Sequence, residues 1–326
     1  MNTLLPWANS AEFRAKLPEM SAVDFFTQPT SSESQIAAYR EFYSLQTQDD
    51  IQHFMGRFES DHFELVGQVY KPANPKGTLF IYHGYFDHFG LFSFPVQLGL
   101  KLGFTVVGFD LPGHGLSSGP LASIDCFSRY AEAQKRFIEL LPEHVCPRPW
   151  CALGQSTGGA VILDTGVPHY DGVILMAPLV RVYNWHWTRL MYQALRHRGG
   201  IERTFSENTS DKAFSVFLNE KDPLQHRRIE APWVGAMIEY TKRVLKMKPS
   251  SLSPLVFQGD LDKTVDAIFN MKHLRKIFNK PDIVMLQGAK HHLANESQHY
   301  KRIMKDKITS YLMVLEENQE HSKASA

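Results

Sequence analysis

The sequence predicts an α/β protein whose sheet is mostly parallel and is flanked by helices. Short apolar runs, several of them closed by glycine or an acidic residue, alternate with segments that carry apolar residues at helical spacing. This alternation is typical of βαβ units. The chain has 326 residues, 43% of them hydrophobic, and is therefore long enough to bury a sizeable core.

The predicted elements follow one another from residue 62 onward. The predicted strands are HFELVGQVY (62–70), GTLFIYHG (77–84), FTVVGFD (104–110), PWCALGQ (149–155), DGVILMAP (171–178), SPLVFQGD (253–260) and DIVMLQGA (282–289). The predicted helices cover 94–102, 126–141, the small-residue stretch after 155, 266–277 and about 296–319. Because each later strand is separated from the next by a helix or by a long insertion, its pairing is expected to be parallel.

The alternation is interrupted once, which indicates how the chain is divided. Residues 1–60 are interpreted as a lead-in with helical patches that packs on the core, which covers 61–180 and 251–320. Residues 181–250 show no convincing buried strand and predict a helical cap inserted into the core. They hold 13 Lys or Arg against 7 Asp or Glu, a local charge of +6 in a chain whose net charge is +1.

The composition excludes several classes of protein. A net charge of +1 leaves no overall basic surface for nucleic acid. The three cysteines, Cys126, Cys146 and Cys151, lack C-x-x-C spacing and are expected to be small core residues in a reducing compartment. Neither a signal peptide nor a run of about 18 apolar residues is recognisable. We therefore expect a cytoplasmic protein, with contact at a membrane surface left open.

One motif predicts a nucleophile. GQSTGG (154–159) places G-x-S-x-G between a predicted strand and a predicted helix, the context in which this motif presents a serine above the sheet. Ser156 is then the nucleophile, and the backbone N–H of Thr157 points to where an oxyanion would form. The alternative is a glycine-rich turn that happens to contain a serine.

A serine nucleophile needs a base and an orienting acid, and the expected chain order is serine, acid, histidine. The loop after the strand 253–260 offers Asp260, Asp262 and Asp266. The loop after the last strand offers the adjacent His291 and His292. Physical reasoning from the residues identifies both loops but does not choose within either.

The chain resembles the α/β-hydrolase superfamily, and within it the lysophospholipase and monoacylglycerol lipase group, which has prolyl aminopeptidases as neighbours. The resemblance covers about residues 60–315. It depends on HG (83–84), DLPGHGLS (110–117), GQSTGG (154–159), MAP (176–178), GDLD (259–262) and GAKH (288–291). It implies that Asp262, followed by Val265, is the acid and that His291 is the base. It also implies that the N–H of Tyr85 is the second oxyanion donor, and that Asp266 begins the next helix as a cap.

The expected function is hydrolysis of carboxylic esters of acyl lipids through an acyl-enzyme, without a cofactor or a metal. The expected partner is a small acyl ester or lipid, with a peripheral membrane contact through the cap left open and no nucleic acid. Three alternatives remain: a prolyl aminopeptidase-like peptidase, a thioesterase or lactonase, and an inactive hydrolase-fold binding protein. A metal site at His83, Asp87 and His88 is a further alternative, and the same residues also fit an oxyanion turn.

Overall fold

The computed structural model describes residues 5–30, 34–165, 167, 169–202 and 208–324. Within them, one sheet of eight strands has the order β1-β2-β4-β3-β5-β6-β9-β10, and a second sheet consists of β7 and β8. The strands are β1 Gln52–Ser60, β2 Phe63–Lys71, β3 Thr78–Tyr82, β4 Thr105–Phe109, β5 Trp150–Gln155, β6 Gly172–Met176, β7 Gly200–Glu202, β8 Arg228–Glu230, β9 Leu255–Gly259 and β10 Asp282–Leu286. The pairs from β4 to β10 in the large sheet are parallel, which confirms the predicted class.

Helices cover both faces of this sheet. They are α1 Ser10–Ala15, α2 Ser34–Phe42, α3 Ser93–Lys101, α4 Ser128–Glu139, α5 Thr157–Asp164, α6 Trp185–Leu195, α7 Lys212–Val216, α8 Ala231–Val244, α9 Ala267–Ile277 and α10 Gln298–Ala324. In α10, Met304, Ile308 and Leu312 recur every four residues and are fully buried, so this long helix packs on the sheet with one apolar stripe. No helix in the described part of the chain combines the length and the apolar character needed to cross a bilayer.

Strand β1 was not predicted, because its residues fall within the stretch interpreted as a helical lead-in. It pairs with β2 in antiparallel register from Gln52↔Lys71 to Ser60↔Phe63. The adjacent Phe54 and Met55 are both fully buried, since residues before β1 pack on both faces of the strand and α4 also contacts it. A strand buried on both faces lacks the alternation of polar and apolar residues by which a half-buried strand is recognised.

The described residues between β6 and β9 include the helices α6, α7 and α8 and the short β7–β8 pair. Neither of these two strands contains a buried residue. Helix α8 holds this segment on the core. The Tyr240 hydroxyl donates to Leu179 O at 2.8 Å, and the Thr241 hydroxyl donates to Val180 O at 2.9 Å. The segment therefore lies over the carboxyl ends of the parallel strands, where open α/β sheets bind ligands.

Candidate active site

Ser156 lies in a strained turn between β5 and α5. Its φ of 53° and ψ of −111° are unusual for a residue with a side chain. The flanking glycines make this turn feasible. A Cβ on Gly158 would lie 1.9 Å from Tyr82 O, and one on Gly154 would lie 2.6 Å from the Gly158 carbonyl carbon. The turn thus presents the Ser156 side chain at the end of the sheet, as the G-x-S-x-G context predicts.

Two further side chains form a hydrogen-bonded chain with Ser156. His291 Nε2 lies 3.0 Å from Ser156 Oγ, and His291 Nδ1 lies 2.7 Å from Asp262 Oδ2. Because the carboxylate can only accept, Nδ1 is the donor and Nε2 is left to accept the serine hydroxyl proton. The structure therefore brings together Ser156, which the motif indicated, with Asp262 and His291, which the family resemblance selected.

Asp262 is held in its charged form. Burial alone would raise its pKa, but the charge of His291 and the hydrogen bonds from His291 and from the Thr264 and Val265 N–H groups keep that pKa below the usual aspartate range. The two backbone donors lie 2.7 and 3.1 Å from Asp262 Oδ1. Gln258 Nε2 donates to Oδ2 at 2.9 Å. A carboxylate fixed in this way can orient the imidazole and stabilise its protonated form.

The structure gives the competing acids and the second histidine other partners. Asp260 accepts from Gly288 N at 2.6 Å and lies on the exposed side of its loop. Asp266 caps α9 by accepting from Phe269 N at 3.0 Å, as the resemblance implied. His292 Nε2 bonds Asp87 Oδ1 at 3.0 Å and therefore faces a different part of the site from His291.

The turn after β3, residues 83–88, is here called the oxyanion turn. It lies beside the serine, because a Cβ built on Gly84 would be 3.5 Å from Ser156 Cβ. The turn is closed by Asp87 N donating to Gly84 O at 3.1 Å, and Phe86 has a φ of +71°. The backbone N–H of Tyr85 thus belongs to the turn beside Ser156, and the N–H of Thr157 is the first of α5. The two backbone N–H groups that the sequence analysis named as oxyanion donors therefore lie in the two elements next to Ser156.

The residues considered for a metal site do not converge. His83 Nδ1 donates to Gly84 O at 2.8 Å, and its Nε2 accepts from Leu111 N at 2.8 Å, so both ring nitrogens are engaged. His88 pairs with Asp222, whereas Asp87 pairs with His292. Within the described residues, no group of three His, Cys, Asp or Glu side chains is placed to hold a metal ion.

A cavity of about 330 Å³ opens above Ser156 and has both apolar and polar lining residues. The apolar ones come mainly from the segment between β6 and β9 and include Leu179, Val182, Ile229, Trp233, Val234 and Met237. The polar and charged ones include Asp87, Asn208, Lys263 and His292. A second apolar cavity of about 300 Å³ shares Thr188, Ile229 and Val234 with the first.

Three supporting side chains were not singled out from the sequence. Gln155 holds the loop of the histidines, because its Nε2 donates to His291 O at 2.8 Å and its Oε1 accepts from Ala294 N at 3.3 Å. Gln258 supports Asp262, and Trp233 stacks on the Tyr85 ring at 3.7 Å. Gln155 occupies the first x of the G-x-S-x-G motif, so the motif indicated its position but not its role. No sequence pattern indicated Gln258 or Trp233.

Fold and site together define an α/β hydrolase. The chain belongs to the family described as serine aminopeptidase, S33, whose model matches residues 73–298. It is 26% identical to a monoglyceride lipase homolog of Monkeypox virus over 269 residues, 78% of this chain and 96% of the relative. It is 24% identical to the monoglyceride lipase of Homo sapiens over 261 residues, 76% and 85% of the two chains. The fold resembles that of a soluble variant of the Saccharomyces cerevisiae monoglyceride lipase, solved with a substrate analog. That likeness has a TM-score of 0.69 at 18% identity and covers 82% of this chain and 97% of that one.

Proposed function

We propose that this protein is a serine hydrolase that cleaves carboxylic esters of acyl lipids, with monoacylglycerols as the leading substrate class. The observation that carries the proposal is the hydrogen-bonded chain Ser156–His291–Asp262 beside a cavity that is lined by several apolar side chains together with a few polar ones. The relatives named monoglyceride lipase support the same class of reaction.

In the proposed mechanism, Ser156 Oγ attacks the ester carbonyl while His291 Nε2 takes its proton. The carbonyl oxygen becomes an oxyanion that accepts hydrogen bonds from the N–H groups of Tyr85 and Thr157, worth about 3–4 kcal/mol per donor in related chemistry. His291 then passes the proton to the leaving alcohol as the C–O bond breaks. Water, deprotonated by the same imidazole, releases the fatty acid from the acyl-enzyme, and Asp262 holds the imidazole throughout.

The proposed mechanism assigns a part to each segment of the chain. We propose residues 61–180 and 251–320 as the catalytic core, 1–60 as a segment packed on it, and 181–250 as a cap that supplies the apolar wall. An aminopeptidase would need carboxylates in the cap to bind the substrate amine. The cap residues described as lining the cavity are Val182, Thr188, Asn208, Ile229, Trp233, Val234 and Met237, none of them acidic. This composition favours an acyl chain over a peptide N-terminus.

We also propose that the cap touches anionic membrane surfaces, from which a lipid ester would be taken. Tyr183, Trp187, Leu190 and Ile201 expose between 48% and 61% of their surface there. The same segment carries a local charge of +6. Exposed aromatic and aliphatic side chains next to basic residues are typical of interfacial binding. Sedimentation of the protein with vesicles tests this proposed membrane contact. We expect more binding to vesicles of anionic lipid than to vesicles of neutral lipid, and equal binding to both would contradict a role for the positive charge.

A substrate panel tests the function. We expect turnover of monoacylglycerols to exceed that of lysophospholipids, thioesters, lactones and aminoacyl amides of matched size. A fluorophosphonate should label the wild type but not Ser156→Ala. The matched control is Ser310→Ala, on the exposed side of α10, which should be labelled normally. Labelling of Ser156→Ala, or a preference for aminoacyl amides, would contradict the proposal.

A further inference from the structure

The loop Asp222-Pro223-Leu224-Gln225, here called the DPLQ loop, belongs to the cap and contacts the oxyanion turn at His88 and Phe86. The carboxylate of Asp222 accepts hydrogen bonds from three separate parts of the chain. Tyr43 OH, from the segment before β1, donates at 2.8 Å, and His88 Nε2, from the oxyanion turn, lies 3.1 Å away. Leu224 N and Gln225 Nε2 donate from the loop itself at 3.1 and 3.0 Å. The side chains of His88 and Asp222 are fully buried, so this contact is made without water.

A second contact reaches the centre of the turn. Gln225 Nε2 also donates to Phe86 O at 3.0 Å. Phe86 has a φ of +71°, in a region where a bulky side chain costs on the order of 1–3 kcal/mol and persists only when its surroundings hold it. The bond from Gln225 holds the carbonyl of this strained residue from the cap side.

The aromatic contact of Trp233 with Tyr85 is the third link between cap and turn. The two rings are stacked at 3.7 Å with an angle of 16°. The described part of the cap thus touches Tyr85, Phe86 and His88. On its other side the turn approaches Ser156 at Gly84. The Tyr85 N–H belongs to the peptide that joins Gly84 to Tyr85. Its direction therefore depends on Gly84, which lies beside Ser156, and on Tyr85 and Phe86, which the cap contacts.

We propose that Asp222 and Gln225 are positioning residues that fix the oxyanion turn from the cap, so that the Tyr85 N–H is correctly aimed only when the DPLQ loop is docked. The inference depends on the proposed function, because it assigns the Tyr85 N–H to an oxyanion. It extends that function by making the cap part of the catalytic geometry as well as a wall of the cavity. It also gives the segment before residue 60 a role in catalysis, through the Tyr43 bond.

The test uses Gln225→Met, which keeps the length of the side chain and removes its donor. Within the described residues Gln225 Oε1 has no hydrogen-bond partner, so the substitution loses only the Nε2 bonds. We expect kcat per active site, counted by fluorophosphonate titration, to fall by about 10- to 100-fold with KM within twofold. A misaligned oxyanion donor affects the transition state and leaves ground-state binding intact. Affinity for a trifluoromethyl ketone that forms a tetrahedral adduct should fall by the same factor as kcat/KM.

Controls separate positioning from folding. Gln97 also donates to a backbone carbonyl, Gln46 O at 2.7 Å, but on the surface, and Gln97→Met should leave kcat unchanged. If Gln225→Met does not fold, Tyr43→Phe carries the test, with a fall of about threefold in kcat at constant KM. A folded Gln225→Met with kcat per site within twofold of wild type would overturn the inference, as would a change in KM alone. Inactive wild-type protein would instead contradict the proposed function.

Discussion

Replacing Gly158 by alanine would test whether the close packing of α5 against β3 sets the catalytic geometry. The added Cβ would lie 1.9 Å from Tyr82 O, 2.4 Å from the Tyr82 carbonyl carbon and 2.8 Å from His83 O. All three are backbone atoms, which cannot move aside as a flexible side chain can. Since ordinary contact begins at 3.4 Å, the start of α5 and the end of β3 would have to separate by about 1.5 Å.

This separation acts on the two elements that carry the proposed catalytic atoms. Strand β3 leads into the oxyanion turn, and α5 begins directly after Ser156. A misplacement of about 1 Å costs on the order of 100-fold in rate, and overpacking of this kind costs about 1–3 kcal/mol of stability. We therefore expect Gly158→Ala to lose at least about 100-fold in kcat on a monoacylglycerol and to melt several degrees lower.

The neighbouring glycine provides the matched control. A Cβ on Gly159 would lie 3.1 Å from Pro178 Cβ and 3.3 Å from Pro178 Cα, which a small adjustment relieves. Both positions lie in α5, so alanine gives both the same gain in helix propensity. Gly159→Ala should therefore keep kcat within a fewfold of wild type. Equal kcat and equal melting temperatures for the two variants would refute the argument from packing.

Further predictions concern the charged pairs. Asp262→Asn should lower kcat by about 10⁴-fold without changing the fold, because the amide no longer fixes the tautomer of the His291 imidazole. Steady-state kinetics on a monoacylglycerol would measure this fall in kcat. His291→Ala should lose nearly all turnover, whereas His292→Ala should keep most of it; the reverse result would place the base one residue further on. For His88 and Asp222, burial alone would lower the pKa of the histidine and raise that of the aspartate. Their mutual attraction more than offsets this, so the pKa of His88 is raised and that of Asp222 is lowered. The pair therefore stabilises the fold fully between about pH 4 and 6.5, and less as pH rises through the raised His88 pKa or falls through the lowered Asp222 pKa. A double-mutant cycle from urea unfolding should give a larger coupling free energy at about pH 6 than at about pH 9, and equal values would contradict the assignment.

How much the sequence predicts depends on whether a feature is local. The turn around Ser156 is local: two glycines, a strand before and a helix after it lie within about 20 residues, and each has a steric reason. The parallel sheet was predicted in the same way and is confirmed. Strand β1 was missed because its burial on both faces comes from residues far along the chain. The contacts of the DPLQ loop join Tyr43 and His88 to Asp222 across 179 and 134 residues, and no local sequence pattern predicts contacts over such separations.

The choice between the adjacent histidines shows where local reasoning ends. His291 and His292 are equally buried at 7% exposure, and each pairs with an aspartate. Residue type, burial and the presence of a carboxylate therefore do not distinguish them. The difference lies in which ring nitrogen is hydrogen-bonded to the carboxylate. Asp262 bonds Nδ1 of His291, so Nε2 of that ring is available to Ser156. Asp87 bonds Nε2 of His292, and the buried Nδ1 of that ring has no hydrogen-bond partner among the described residues. A general base needs its free nitrogen within hydrogen-bond distance of the nucleophile, and of these two histidines only His291 meets that condition with Ser156.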